Sequence, residues 1–451
     1  MELEGKRVLV AGLGRSGVAA GRLLKGEGAW VTIQDIKEEA RLGEEVLKLA
    51  AEGFELYLGR NPNDIVQNFD MLVLSPGISV YLPFVERAKS LNIPVIGEIE
   101  LAFAFAPCPI TAITGTNGKT TTTSIVGEIM RRKHPNTAVV GNIGVAFCEH
   151  VQRLTSKDWI VAEISSFQLE AVQEFRPHIC AVLNISPDHL NRHKTMENYI
   201  GMKERIFRKQ REEDFLVINY DDEVCRKMKA RSAAKVIFFS RLQELEQGVF
   251  LNGSKICARI PGGAEKDIFD ISNMKIIGGH NVENALAATA MCLAAGVSAK
   301  EIAAGLKAFG GVEHRLELVR RVAGVAYYND SKATNVDSAK KSLEAINNPI
   351  VLIAGGSEKG SDFSEWVRLF PGRVKHLVVM GEVAERIYEV CKAHDYHALT
   401  KVNNLRDAVS VSAGKASAGD VVLLSPACAS FDMFKDFEQR GQMFKQFVKA
   451  L

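Results

Sequence analysis

The stretch ITGTNGKTTTTSIVGEIM, residues 113–130, sets a lysine and a threonine directly behind two glycines. Gly115, Gly118, Lys119 and Thr120 read G-x-x-G-K-T. The usual phosphate cradle is G-x-x-x-x-G-K-[ST], and the position where it has its first glycine is Ile113. A glycine turn between a strand and a helix exposes backbone N–H groups, and the helix dipole adds partial positive charge there. Lys119 can reach terminal phosphates, and the Thr120 hydroxyl can ligate a magnesium ion bound to them. The spacing predicts a shortened cradle, with a purely structural turn as the alternative.

Other groups stand at the ends of predicted strands. In AEISSFQLE, Glu163 closes an apolar run just before a loop, where α/β sites gather ligands. It is a metal ligand or a solvated strand-end acid. His189, in NISPDHLNRH, follows the next strand and is a ligand or a structural hydrogen bonder. Lys203, in MENYIGMKERIFRKQ, has Tyr199, Ile206 and Phe207 as its helical neighbours, which puts an amine on an apolar face. It either snorkels or is partly desolvated, and in the second case it is more often neutral and nucleophilic.

A further set lies near the C-terminus. Asp330, Lys332 and Thr334 crowd the turn YYNDSKATN, a composition that suits a nucleotide or another anion. GGSEKGSDF adds Lys359, and SPACASFD adds Ser430 and Asp432, which also resemble helix caps. At the other end, KRVLVAGLGRSG places Gly12, Gly14 and Gly17 after a strand, with Asp35 closing the next one. That is a dinucleotide fingerprint, and its glycines specify only that a diphosphate can approach a helix N-terminus.

These groups need scaffolds. Residues 1–97 alternate strands (KRVLVAG, WVTIQD, MLVLSPG, IPVIG) with helical patterns, which predicts a parallel sheet. Residues 98–309 repeat the scheme with PITAITG, DWIVAEIS, HICAVLNIS, DFLVINY and KVIFFS, and residues 248–277 read as an antiparallel β appendage. Residues 310–451 form a third unit around GVAYYND, PIVLIAGG, KHLVVMG and DVVLLSP. The glycine pair in FGGVEHR reads as a hinge. The fold class is therefore α/β in three consecutive domains: Rossmann-like, central P-loop ATPase-like with a β appendage, and a Rossmann-like C-terminal domain.

The chain has 451 residues, of which 47% are hydrophobic and 24% charged, ordinary for a globular protein with several cores. A net charge of +2 argues against nucleic-acid binding. The longest apolar stretches are too short for a membrane span, and the acidic first residues do not read as a leader. Eight cysteines without a C-x-x-C pair predict reduced, mostly buried thiols and a cytoplasmic setting.

Taken together, GTNGKTTT, EISSFQLE, PDHLNRH, GGHNVENALAA, HRLE, NDSKATN and LLSPACASFDMFKDFEQRG resemble the Mur ligase family, in order and along the whole chain. NDSKATN and SPACASFD point to its D-glutamate-adding branch. Folylpolyglutamate synthases share the central loop but begin at the ATP domain, so the GLGRSG segment speaks against them. A nicotinamide oxidoreductase would rest on the first 35 residues alone. A regulator that binds nucleotides without chemistry is the other alternative.

The resemblance implies an ATP-dependent ligase that joins the L-alanine carboxylate of UDP-N-acetylmuramoyl-L-alanine to the amine of D-glutamate through an acyl phosphate. This is a step of peptidoglycan precursor synthesis, expected from a cytoplasmic monomer without nucleic-acid or membrane partners. It implies that Gly115, Thr116, Asn117, Gly118, Lys119, Thr120 and Thr121 hold the ATP phosphates. Asn281, Asn284, Arg315, Asp330 and Lys332 contact ATP across the linker. Thr120 and Glu163 hold one Mg2+, and His189 and Lys203 a second, with Lys203 carbamylated. Thr334, Lys359, Ser430 and Phe437 receive D-glutamate. Arg15, Ser16, Asp35 and Lys37 meet the uridine end, with Ser75, Gly77 and Asn142 nearer the diphosphate and sugar. The fingerprint is then read as UDP binding, and the third domain is expected to close on the second.

Overall fold

The computed structural model of the protein describes residues 1–42, 44–259, 265–357 and 360–451. Three sheets organise it. The first has five parallel strands in the spatial order Glu55–Leu58, Trp30–Asp35, Arg7–Ala11, Met71–Leu74 and Val95–Gly97. Its central strand shows why the run VLVA is apolar throughout. Val8 and Val10 enter one core while Leu9 and Ala11 enter another, so both faces of the sheet are covered. The helix Arg15–Gly26 follows that strand, and Gly17 lets it pack. A Cβ at Gly17 would stand 1.9 Å from the Gly12 carbonyl oxygen.

The second sheet has nine strands. From one edge they run Lys266–Asp270, Lys255–Arg259, Gly248–Asn252, Lys235–Ser240, Phe215–Asn219, Ile179–Val182, Ile110–Thr114, Trp159–Glu163 and Thr137–Gly141. The segment expected to be an antiparallel appendage is an extension of this same sheet. Gly248–Asn252 pairs parallel with Lys235–Ser240, and the two strands beyond it pair antiparallel.

The third sheet has six strands, in the order Glu317–Val322, Val325–Asn329, Val421–Leu424, Ile350–Gly355, Val374–Met380 and Leu399–Lys401. Its four inner strands are those the sequence predicts. The two edge strands are not, because ELVRRV is half charged and exposed and LTK has three residues. Here too the faces alternate: Leu352 and Ala354 enter one core, Val351 and Ile353 the other.

By compactness the chain divides into two units. Met1–Asp270 with Asn284–Leu306 carries the first two sheets, and Ile271–Glu283 with Lys307–Leu451 carries the third. In this division the segment Ile271–Glu283 groups with the C-terminal part, Ile276 lying beside Gly311 and Gly278 against Ala345. No described helix is long and apolar enough to cross a membrane. All eight cysteines are unbridged, and all but Cys108 are buried.

Between the first two sheets the chain passes through Glu98, the first residue of the helix Glu98–Phe105. Its carboxylate is 2% exposed, and Oε1 accepts from the Cys148 N–H at 2.7 Å, while Oε2 has no hydrogen-bond partner among the described residues. Burial pushes this carboxyl up to about 7. Between the ordinary value of 4.5 and about 7 the folded chain keeps a proton that the unfolded chain releases. Stability therefore falls as pH rises through that window. The expected loss is about 3 kcal/mol from pH 4.5 to 8. Urea denaturation at both pH values will show that decline in the native chain and its absence in Glu98→Gln; equal declines would exclude Glu98 as its source.

Candidate active site

The glycine loop leaves the buried strand Ile110–Thr114 in the interior of the nine-stranded sheet and enters the helix Lys119–Lys133. Gly118 caps that helix with φ +84, and a Cβ there would stand 2.3 Å from Asn284 Oδ1. The same Asn284 oxygen accepts from Thr122 Oγ1 at 3.1 Å, so Asn284 is fitted against the first turn of the helix. Asn184, a residue the sequence did not single out, holds the loop from outside. Its Oδ1 accepts from the Asn117 N–H at 2.8 Å, and its Nδ2 donates to the Asn117 carbonyl at 3.1 Å. Thr116 Oγ1 meets the Tyr199 hydroxyl at 3.1 Å and accepts from the Ser186 N–H at 3.0 Å. Thr120 and Thr121 are buried at the helix start.

Two lysines meet at this loop. Lys119 curls back, and its Nζ donates to the carbonyls of Gly115 at 2.9 Å and Thr116 at 2.7 Å. Lys203 Nζ donates to the same Gly115 carbonyl at 2.7 Å from the helix Met196–Glu204. Lys203 is 1% exposed and lies 4.7 Å from the centre of the Tyr199 ring. Burial holds its amine well below the ordinary lysine range, and the charge on Lys119 pushes it further down.

Glu163 ends the strand Trp159–Glu163 in register with Ile113, which places it beside the loop. It is 2% exposed; Oε1 accepts from Asn142 Nδ2 at 2.8 Å and Oε2 has no hydrogen-bond partner among the described residues. His189 adopts φ +54 at the start of the short helix Leu190–His193. Its ring stands 4.8 Å from Phe167 and its Nε2 3.6 Å from the Asp188 carboxylate. Asn142, expected near the diphosphate and sugar, also orients Glu163 through its amide.

Around the first sheet, Asp35 serves its own turn, accepting from the N–H groups of Leu13 and Lys37, both at 2.9 Å. Ser75 Oγ donates to the Gly12 carbonyl at 2.9 Å. Arg15 Nη1 donates to the Gly144 carbonyl at 2.6 Å, two residues beyond Asn142. Ser16 is half-buried, and Lys37 and Gly77 are exposed.

In the C-terminal unit, Asp330 is fully buried. Its oxygens accept from the Leu316 N–H, Arg315, Ser342 and Ser425, so its carboxylate serves to fix Arg315 and the turn. Burial raises this carboxyl above its usual range, and Arg315 partly offsets the effect. Arg315 Nη1 also donates to Ser338 Oγ. Lys332 Nζ lies 4.7 Å from the centre of the Phe437 ring. Thr334 is half-buried, Ser430 is 2% exposed, and Asn281 Nδ2 donates to the Ile277 carbonyl at 2.6 Å. Lys359 lies outside the described residues. Capping falls elsewhere than expected: the helix Phe437–Lys449 is capped by Asp436, while Asp432 accepts from Ser357 Oγ and the Glu382 N–H.

Arg440 is the residue the sequence hid most completely. It is fully buried, and its guanidinium donates to the carbonyls of Ser331, Cys428 and Ala429 and to Ser331 Oγ, at 2.9 to 3.2 Å. It thereby ties the turn carrying Lys332 to the loop carrying Ser430. Burial lowers it to about 10.

Family profiles match the chain in three consecutive blocks. They are the Mur ligase MurD-like N-terminal domain over residues 6–97, the Mur ligase middle domain over 113–292, and the Mur ligase glutamate ligase domain over 314–428. The chain belongs to the Mur ligase family. Among its relatives are the UDP-N-acetylmuramoylalanine–D-glutamate ligases of Alkaliphilus metalliredigens and Alkaliphilus oremlandii. Each is 48% identical over 100% of this chain and 99% and 100%, respectively, of its own length. Among solved structures, a UDP-N-acetylmuramate–alanine ligase of Thermotoga maritima aligns with a TM-score of 0.63 at 19% identity over 99% of both chains. The MurF ligase of Thermotoga maritima in complex with ADP aligns at 0.61 and 15%, over 100% of this chain and 96% of its own. These structural likenesses speak to the fold.

Removing the Arg440 guanidinium orphans several buried carbonyls, each costing about 1–3 kcal/mol. Arg440→Met is expected to lose at least about 3 kcal/mol in urea denaturation, and Arg440→Lys to recover only part of it. A loss below about 1 kcal/mol would show that water or a rearranged loop satisfies those groups.

Proposed function

We propose that the chain is an ATP-dependent ligase that joins the L-alanine carboxylate of UDP-N-acetylmuramoyl-L-alanine to the amine of D-glutamate, in peptidoglycan precursor synthesis. The observation that carries this reading is the meeting of Lys203 and Lys119 on the Gly115 carbonyl, beside a buried glutamate with one oxygen unpartnered. A phosphate loop alone suits many reactions. A desolvated amine next to it, with an acceptor held ready, suits a metal-assisted phosphoryl transfer. The full-length identity to D-glutamate ligases supports the choice of amino acid.

In this reading a carboxylate oxygen of the L-alanine attacks the γ-phosphorus of ATP, releasing ADP and forming an acyl phosphate. The neutral amine of D-glutamate then attacks the acyl carbon; the C–N bond forms, phosphate leaves with the C–O bond, and the amine gives up a proton. Gly115 to Thr121 are assigned to the phosphates, the N–H groups of Thr116 and Asn117 being already given to Asn184, and Lys119 exchanges its loop carbonyls for phosphate oxygens. Asn284 keeps the helix start in place, with Asn281, Arg315 and Lys332 assigned to the nucleotide and Asp330 holding Arg315. Thr334, Ser430 and Phe437 are assigned to D-glutamate, together with Lys359. Arg15, Ser16, Asp35, Lys37, Ser75, Gly77 and Asn142 are assigned to the UDP-sugar, and the Asn142 amide also orients Glu163.

The Glu163 oxygen without a partner fits a hard divalent cation, because a buried carboxylate left this way is costly until a cation arrives. Thr120 and Glu163 would hold one Mg2+, and His189 and a carbamylated Lys203 a second. Magnesium supplies charge neutralisation on the phosphoryl oxygens. The carbamate forms when the neutral Lys203 amine adds to the carbon of CO2 and releases a proton, a reaction that its burial favours. A cytoplasmic, monomeric enzyme is part of the same proposal.

Phosphate release from ATP and magnesium with UDP-N-acetylmuramoyl-L-alanine is expected with D-glutamate and not with L-glutamate or no amino acid, with the amide product seen by mass spectrometry. Release indifferent to the amino acid would sink the assignment. Lys203→Arg keeps a cation that cannot take up CO2, so its kcat is expected to fall on the order of 10²–10³-fold. Wild-type activity should also fall in CO2-depleted buffer and return with bicarbonate; full activity in Lys203→Arg would exclude the carbamate.

A further inference from the structure

The turn at residues 76–78 and the loop carrying His189 belong to different sheets, and one side chain spans them. Arg192 sits in the short helix Leu190–His193, three residues after His189. Its Nη1 donates to the Pro76 carbonyl at 3.2 Å and its Nη2 to the Ile78 carbonyl at 3.1 Å. These carbonyls stand on either side of the exposed Gly77. On its other edge the guanidinium makes a two-pronged pair with Glu170, Nε to Oε1 at 2.9 Å and Nη2 to Oε2 at 2.5 Å. The Glu170 side chain is 2% exposed, and Arg205 donates to its backbone carbonyl at 2.6 Å. Glu170 is therefore a fixed anchor.

The face of the guanidinium is also used. Its carbon stands 4.2 Å from the centre of the Phe167 ring, and that ring is the one against which His189 packs. A rigid planar group is thus held at one edge by a buried carboxylate, reaches the Gly77 turn with its free N–H groups, and covers the platform of His189. A lysine has neither the fork nor the plane to do all three.

We infer that Arg192 is a positioning residue that couples occupancy of the nucleotide-sugar turn at residues 76–78 to the placement of His189. A ligand that moves the Gly77 turn moves two carbonyls bound to one guanidinium. The guanidinium cannot follow without sliding over Phe167, because Glu170 fixes its far edge. The bound sugar nucleotide therefore biases the His189 loop, and by linkage ATP with its metal biases the Gly77 turn to the same extent. A static staple between the two sheets would have no such reciprocity.

This inference rests on the proposed function, and the experiment separates the two. In wild-type protein the Kd of a non-hydrolysable ATP analogue with magnesium is measured by calorimetry, with and without saturating UDP-N-acetylmuramoyl-L-alanine. The two values are expected to differ by at least about fivefold. In Arg192→Lys the ratio is expected to come within twofold of unity, while each ligand alone binds within about threefold of wild type. Should Arg192→Lys not fold, Phe167→Leu keeps the ion pair and both carbonyl contacts, and the same collapse of the ratio is expected. A wild-type ratio of unity, or a variant ratio equal to that of wild type, overturns the coupling role. Wild-type protein that ligates no D-glutamate overturns the proposed function, and the inference falls with it.

Discussion

One carbonyl oxygen organises the central region. Gly115 O accepts from both Lys119 and Lys203, two amines brought from different helices to the same acceptor. Two full positive charges so close in a buried place repel strongly, and the low dielectric makes the repulsion count. The molecule resolves it through Lys203, whose amine gives up its proton most readily. Everything nearby is arranged around that decision. Tyr199 covers the amine with its ring and braces the loop with its hydroxyl, and Glu163 waits at the adjoining strand end. A helix carrying an apolar face with one lysine in it therefore reaches the glycine loop.

The two compact units use polar burial in different ways. In the N-terminal unit the buried groups around the loop are left incomplete, as the Glu163 oxygen shows. In the C-terminal unit the corresponding groups are saturated. Asp330 takes four donors, and Arg440 gives its hydrogens to three carbonyls and a hydroxyl. Saturation makes a rigid frame for Lys332 and the Phe437 ring, and incompleteness leaves a buried oxygen to be satisfied.

Much of this was legible in the residues. The inner strands announce themselves as apolar runs ending in glycine, asparagine or serine, and the G-x-x-G-K-T loop shows its strand and helix on either side. Glu163, His189 and Lys203 stood out in the sequence because each departs from the pattern of its element. What was not legible was paired over long distances. Asn184 and Arg192 read as ordinary loop residues, and their partners lie 67 and 116 positions away. Arg440 looks like one more charge on an amphipathic helix until its partners 109 residues earlier are placed beside it. The edge strands were missed for another reason: Glu317–Val322 faces water with most of its side chains, so hydrophobic alternation is weak there.

The helix that follows the first strand approaches it so closely that Gly17 has no room for even a methyl group against the Gly12 oxygen. The third glycine of the fingerprint is thus required by the chain's contact with itself, before any ligand is considered. Such a signature measures the clearance between a helix and a strand. Two proteins can share it because they solve the same steric problem, and what each then binds is written in the side chains around the turn.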